Sequence, residues 1–342
     1  MRFDNRIIKY IVATAILALS LYLSARQIAF DELLIQLQGL DYVWVLFSIP
    51  AIIASNIIRA LRWREILAPI SSDVKVHNAF SAIMIGHLLN SFTLRFGELA
   101  RPIILAKKEK LPTAAVISTA VLEGGVDFAF LNILFLVSLV FLSEPLFKLL
   151  NFDSVFQGSL GIFIIVLVVI ATLFFIYRFR HPIWNLLKSI LPAKFTHKFE
   201  DSMSAFVQGF VSLKSPLFYF KMTFYTILLW LSYALIMYLV FFAFQFQSAI
   251  HLSFIDSIIL VVFAGIATAI AFTPGAVGVY HLVVASIMTT LYSITSNEAF
   301  AYATIIHIIT LLVQSCLGAI YLIYEGINTI RISEIENSSP NS

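Results

Sequence analysis

Two apolar segments, His77–Lys107 and Phe254–Leu291, are each too long for a single membrane crossing, and each is interrupted in the middle. A transmembrane helix takes about 20 mostly apolar residues. The interruptions fall at Phe92–Gly97 and at Thr273–Gly278. Unpaired backbone groups are costly in hydrocarbon, so a broken helix persists at membrane depth only where protein buries it or where it lines a polar cavity. The two segments predict re-entrant hairpins, each entering and leaving on one face, and they restrict the chain to an all-α polytopic membrane protein. Composition agrees. Of 342 residues, 60% are hydrophobic and 12% charged, and the mean hydropathy is +0.95. A soluble domain carries about 25% charged residues, so the solvent of this chain is lipid. The single cysteine, Cys316, excludes an internal disulfide and a thiolate metal cage.

Unbroken apolar runs predict further spans at Ile7–Ser24, Tyr42–Arg62, Ala114–Leu142, Leu160–Tyr177, Met222–Phe246 and Ala299–Tyr324. The first is read as a retained helix and not as a signal peptide, because no small-x-small cleavage site follows it. Phe30–Leu37 is read as an amphipathic surface stretch. Cytoplasmic loops carry the excess of Lys and Arg. With both broken segments as hairpins, one face holds Arg2, Arg6, Lys9, Arg59, Arg62, Arg64, Lys75, Lys107, Lys108, Lys110, every cation from Arg178 to Lys221, and Arg331. The other face holds only Arg26 and Lys148, while Arg95 and Arg101 fall at the first break. Both termini are then expected in the cytoplasm, with the chain in the cell (inner) membrane.

This topology contains a repeat. In each half a span, a hairpin and a second span follow in the same order with opposite orientation, over about 41–142 and about 218–325. Asn90-Ser-Phe-Thr-Leu-Arg in the first half faces Ile270-Ala-Phe-Thr-Pro-Gly in the second. Inverted repeats whose broken helices meet near the bilayer midplane are a transporter architecture. The intervening segment 178–217 places Phe195, Phe199, Met203, Phe206, Phe210 and Leu213 at spacings of three and four. That stripe fits an interfacial helix, or equally one docked on the protein's own cytoplasmic face. The membrane domain is expected to fill residues 1–328, followed by a disordered cytoplasmic tail, 329–342.

Charged residues inside such a domain are the candidates for chemistry. Arg95, Glu98 and Arg101 lie within seven residues at the first break. Each charge at mid-bilayer costs about 2.5–3.5 kcal/mol on insertion scales. They read either as a head-group site, in which an Arg fork binds phosphate oxygens, or as an ion pair that holds the broken turn. Half-helices starting near Gly97 or Pro102 and near Ala276 would favour an anion. At the second break Pro274 stops the incoming helix, Gly275 and Gly278 permit positive φ, and His281 follows one turn later. Glu123 and Asp127, at i and i+4 of one span, are intramembrane carboxylates that either serve the site or pair with Arg95 or Arg101. His87 and His307 read as core histidines. No zincin motif, serine elbow, Walker loop or dinucleotide fingerprint is present. Neither a cofactor, a metal nor a nucleic-acid partner is expected, and homo-oligomerisation is left open.

The same residues carry a family likeness. Arg62-Trp63, Asn90 with Arg95-x-Gly97-Glu98-x-x-Arg101, Glu123-x-x-x-Asp127, and Pro274-Gly275-x-x-Gly278-Val279 resemble, in order and spacing, the lysylphosphatidylglycerol synthase transmembrane family. The likeness spans about Asn5–Asn328. This family is the flippase-like half of the multiple peptide resistance factor and also occurs as stand-alone proteins. The resemblance implies transfer of a membrane lipid, either an anionic phospholipid or a polyprenyl or other lipid-linked substrate, between leaflets, with no enzymatic activity. It assigns substrate binding to Asn90, Arg95, Glu98, Arg101, Glu123, Asp127, Pro274, Gly275, Gly278 and His281. The chain departs from the family pattern at Thr93, Gly124, His281 and His307. Two other functions fit the residues: an intramembrane lipid-modifying enzyme, or a partner subunit of an envelope-lipid enzyme. The topology has a direct test. In a Cys316-free background, single cysteines at positions 75 and 110 should stay unlabelled by an impermeant maleimide added to whole cells; labelling of both would overturn the orientation.

Overall fold

The computed structural model describes residues 37–141, 216–271 and 273–324. The expected spans Ile7–Ser24 and Leu160–Tyr177, nearly all of the stretch Phe30–Leu37 and of the interfacial segment 178–217, the tail 329–342, and Phe272 lie outside these residues. The described part is all helical. In the first half, α1 is Tyr42–Leu67, α2 Val76–Phe92, α3 Phe96–Glu109 and α4 Thr113–Phe141. In the second, α5 is Pro216–Ala243, α6 Phe254–Ile270, α7 Val279–Tyr292 and α8 Ser296–Tyr324. Among them α1, α4, α5 and α8 are each long and apolar enough to cross a membrane. The chain is a multi-pass membrane protein.

Both long apolar segments break where the sequence interrupts them. Between α2 and α3 the chain turns at Thr93–Arg95, with Arg95 left-handed at φ 58. Between α6 and α7 it turns through Pro274–Ala276, with positive φ at Gly275, Ala276 and Gly278. The helix after the first break starts at Phe96, so Pro102 lies inside it and does not begin it. The two ends of the first hairpin are tied together, since Glu109 Oε1 accepts from Lys75 N at 3.0 Å and from Asn78 Nδ2 at 2.8 Å.

The helices α1 and α5 pack along each other and run antiparallel. Asp41 N donates to Ala243 O at one end, and Lys221 pairs with Glu65 at 3.1 Å at the other. Around this pair α1 packs on α2 as α5 packs on α6. Likewise α3 packs on α4 as α7 on α8, and α2 on α8 as α6 on α4. Two apolar cores form, and each draws on both halves: one around Trp63, Ile66, Ile83 and Leu105 is joined by Phe218 and Met222 of α5, and the other, around Phe241, Leu260, Val284 and Tyr302, is joined by Val45 of α1 and Leu131 of α4.

Two glycines set how closely helices approach in the first half. A Cβ on Gly97 would stand 1.9 Å from Gly86 O and 2.6 Å from Asn90 Oδ1; one on Gly318 would stand 2.4 Å from Met84 O. Backbone contact of this kind needs small residues, as between membrane helices generally. Gly124, by contrast, has nothing within 4 Å of a built Cβ. Gly97→Ala and Gly318→Ala should each cost about 1–3 kcal/mol, the scale of overpacking, while Gly124→Ala should be tolerated. Thermal unfolding of the three variants in detergent checks this.

Candidate functional site

Six charged side chains converge where α1, α3 and α4 meet. Arg59 and Arg62 project from one face of α1, one turn apart. Glu123 and Asp127 project from α4, and Glu98 and Arg101 from α3. Arg62 forks onto Asp127, with Nη1 2.6 Å from Oδ1 and Nη2 2.8 Å from Oδ2. Its Nη2 also reaches Glu123 Oε1 at 3.2 Å, and its Nη1 reaches Thr226 Oγ1 on α5 at 3.3 Å. Glu123 is fully buried and takes two further bonds, from Arg59 Nε at 2.9 Å and from Arg101 Nη1 at 2.6 Å. Arg101 Nε lies 3.2 Å from Glu98 Oε2 but is not aligned with it for a hydrogen bond. The Arg101 guanidinium sits 4.9 Å above the Trp63 ring, and the Trp63 indole N–H donates to Thr119 Oγ1 at 3.0 Å. Three guanidiniums and three carboxylates balance one another. A buried charge is tolerable only when paired and hydrogen-bonded, and this cluster meets that condition with bidentate, charge-assisted contacts.

The sequence placed Arg59 and Arg62 at the end of the span Tyr42–Arg62 and counted them with the cations of the cytoplasmic face; in the structure α1 runs on to Leu67 and Arg62 is fully buried. The helix continues past them to Leu67 because carboxylates from α4 neutralise them inside the protein. The other described cations outside the two hairpin breaks, Arg64, Lys75, Lys107, Lys108, Lys110 and Lys221, all lie at one end of the bundle, where α1 ends and α2 and α5 begin.

Beside the cluster lies a cavity in two lobes. A lobe of about 340 Å³ runs between the two hairpin breaks and α8, and is lined by polar residues including His87, Asn90, Ser91, Thr93, Thr273, Gly275, His307 and Gln314. A lobe of about 460 Å³ opens between α1, α4, α5 and α6. Its wall is largely apolar, with Phe128, Leu131, Trp230, Ile236, Met237, Val261 and Ala264, and Arg59 and Asp127 stand at its edge. The lobes share Arg95, Glu98, Thr268, Tyr280, Ile306, Thr310 and Gln314. At this junction the first break touches the second hairpin: Arg95 Nη2 donates to Thr268 O, near the end of α6, at 2.7 Å. Arg95 has no carboxylate partner among the described residues, whereas Glu98 faces Asn90 Nδ2 at 3.3 Å as well as Arg101.

The candidate residues therefore separate by role. Asn90, Arg95, Glu98, Asp127 and Gly275 line the cavity. Arg101 and Glu123 lie behind the wall, inside the ion cluster. Pro274 and Gly278 shape the second turn. His281 is buried beside it, where its Nδ1 accepts from Gly278 N at 3.4 Å. His307, read from sequence as a core histidine, is buried and donates through Nε2 to Gly275 O at 2.8 Å, and it also forms part of the cavity wall. His307, Thr310 and Gln314 recur at spacings of three and four on an otherwise apolar helix, and that polar stripe was the available signal. For Arg59 and Arg62 it was the match between two cations one turn apart on one span and two carboxylates one turn apart on another.

Fold and site together define a polytopic helical membrane protein with a charged, two-lobed cavity between two broken hairpins. The chain belongs to the family described as the lysylphosphatidylglycerol synthase TM region, whose model matches residues 7–318. That membership ties it to membrane lipid metabolism or transport. No curated protein and no solved structure matches the chain. The ion cluster makes its own prediction. Glu123→Ala leaves three arginines without their shared counter-ion and should lower stability by about 3–5 kcal/mol. Asp127→Asn, which keeps a hydrogen-bond acceptor at the edge of the cluster, should cost less. Unfolding of both variants in detergent compares them.

Proposed function

We propose that the protein is a lipid flippase, which carries an anionic phospholipid or lipid-linked group between the leaflets of the cell membrane without changing its chemistry. One observation carries this reading: the cavity is amphipathic in the way a lipid is. Its polar lobe offers hydrogen-bonding side chains and the Arg95 guanidinium, which has no carboxylate partner among the described residues. Its apolar lobe, walled by Phe128, Leu131, Trp230, Ile236 and Met237, suits an acyl or prenyl chain. An arginine fork binds phosphate oxygens well, and Glu98 moderates the charge so that a bound head group can leave.

The two halves act on this cavity as an inverted repeat. Support comes from the antiparallel packing of α1 on α5 and from the matching helix contacts on either side of that pair. Rocking one half against the other would expose the cavity alternately to the two leaflets, the movement used by transporters built on such repeats. The cationic end of the bundle faces the cytoplasm under the positive-inside rule.

In liposomes, purified protein should speed leaflet exchange of an anionic phospholipid and return it chemically unchanged. Arg95→Ala should reduce that exchange about tenfold or more while expression and folding persist, the expected loss of one charge-assisted contact of about 1.5–3 kcal/mol. Exchange at background together with a covalently altered lipid pool would instead make the protein an enzyme.

A further inference from the structure

The histidines around the second break have no place in the mechanism so far. His307 lies on α8, on the wall of the polar lobe. Its Nε2 faces a carbonyl, Gly275 O, and a carbonyl only accepts, so Nε2 carries the hydrogen. The other ring nitrogen, Nδ1, is then a lone pair, and it has no hydrogen-bond partner among the described residues. The neighbouring rings are placed differently. The His281 ring lies 4.9 Å from that of His307, and its Nδ1 already accepts the Gly278 N–H that begins α7. His87, across the lobe on α2, also donates through Nε2, to Asn56 Oδ1 at 3.2 Å, and its Nδ1 is likewise without a partner among the described residues, but that bond ties it to α1 and not to the second break.

We infer that the cavity binds a proton at Nδ1 of His307 together with the anionic head group, so that lipid transfer is linked to proton movement. This deepens the flippase reading and rests on it. The inference follows from where charges are and are not balanced. A buried imidazolium needs a counter-ion. From α3 the groups facing the lobe are Arg95, itself a cation, and Glu98, which Arg101 holds at 3.2 Å. From α2 there is His87, and from α7 there are His281 and Tyr280, whose ring lies 4.6 Å from His307. The turn and α6 contribute no ionisable group to the wall. In the adjoining lobe Asp127 is forked by Arg62, and Arg59 is bonded to Glu123. No carboxylate is left over for a second cation beside Arg95. An anionic head group supplies the missing negative charge, so the anion and the proton each favour binding of the other. The pair enters the cavity with no added net charge, which removes most of the cost of carrying an ion through low dielectric. Histidine is the side chain whose charge changes near neutral pH.

The test uses full-length protein in detergent micelles, with dihexanoyl phosphatidylglycerol as the soluble anionic probe. Because the proton binds with the anion, affinity should rise as pH falls, by up to about tenfold per pH unit for one linked proton, and His307→Gln should bind with no such dependence. Glutamine can still donate to Gly275 O. His87→Gln and His281→Gln should keep the dependence. Wild-type binding that is indifferent to pH overturns the inference, as does a dependence lost in His87→Gln or His281→Gln and kept in His307→Gln. Should His307→Gln not fold, an indicator dye decides on wild type alone: proton uptake on mixing with the probe supports the linkage, and none overturns it. Lipid exchange in liposomes that persists without proton linkage overturns this inference and leaves the flippase reading standing, whereas no exchange of any lipid overturns both.

Discussion

Everything in the first half hangs on the carboxylate of Glu123. It is completely buried and accepts from guanidiniums on two other helices, α1 and α3. In water such pairs add little, because surface ion pairs compete with hydration and salt. Inside an apolar bundle the balance changes: each charge alone would be intolerable, and together they have an arrangement in which every charge is paired. That arrangement fixes the rotation of α1, the seat of α3 after its break and the depth of α4. It also turns Arg59 and Asp127 toward the cavity edge, so the structural cluster and the cavity wall are one continuous set of side chains.

The broken hairpins solve a related problem. A turn within the membrane leaves amides and carbonyls that need partners. Arg95 meets one carbonyl of the opposite hairpin, Thr268 O, and His307 meets another, Gly275 O. The second hairpin is thus completed by side chains from two other elements of the fold. The close approach this requires depends on Gly86, Gly97 and Gly318, which let α2, α3 and α8 nearly touch through their backbones. Tight backbone packing on one side and the two turns on the other leave a space lined by polar side chains between the breaks, and that space is the polar lobe.

The apolar lobe has a different origin. Gly124 leaves open space on α4, and the aromatic and aliphatic side chains of α4, α5 and α6 surround it without filling it. Both lobes are built from both halves of the chain, and they meet at Arg95 and Glu98.

The sequence by itself determined the helical, membrane-embedded class, the position of the breaks and the residues that had to be explained. Length and apolarity of a run decide whether it spans a bilayer, and Pro274, Gly275 and Gly278 can only interrupt one; neither depends on neighbours. It also exposed Arg95, Glu98, Arg101, Glu123 and Asp127 as charges out of place. What it left open was whether each of these served a ligand or another side chain, and there only the tertiary structure decided. Arg101 and Glu123 are committed to each other, Arg95 is committed to no carboxylate among the described residues, and Arg59 and Arg62, counted from sequence with the cations of the cytoplasmic face, are held inside by Glu123. The reason is that pairing is a property of distance between helices far apart in sequence, such as the 61 residues from Arg62 to Glu123, and linear spacing carries no measure of that distance.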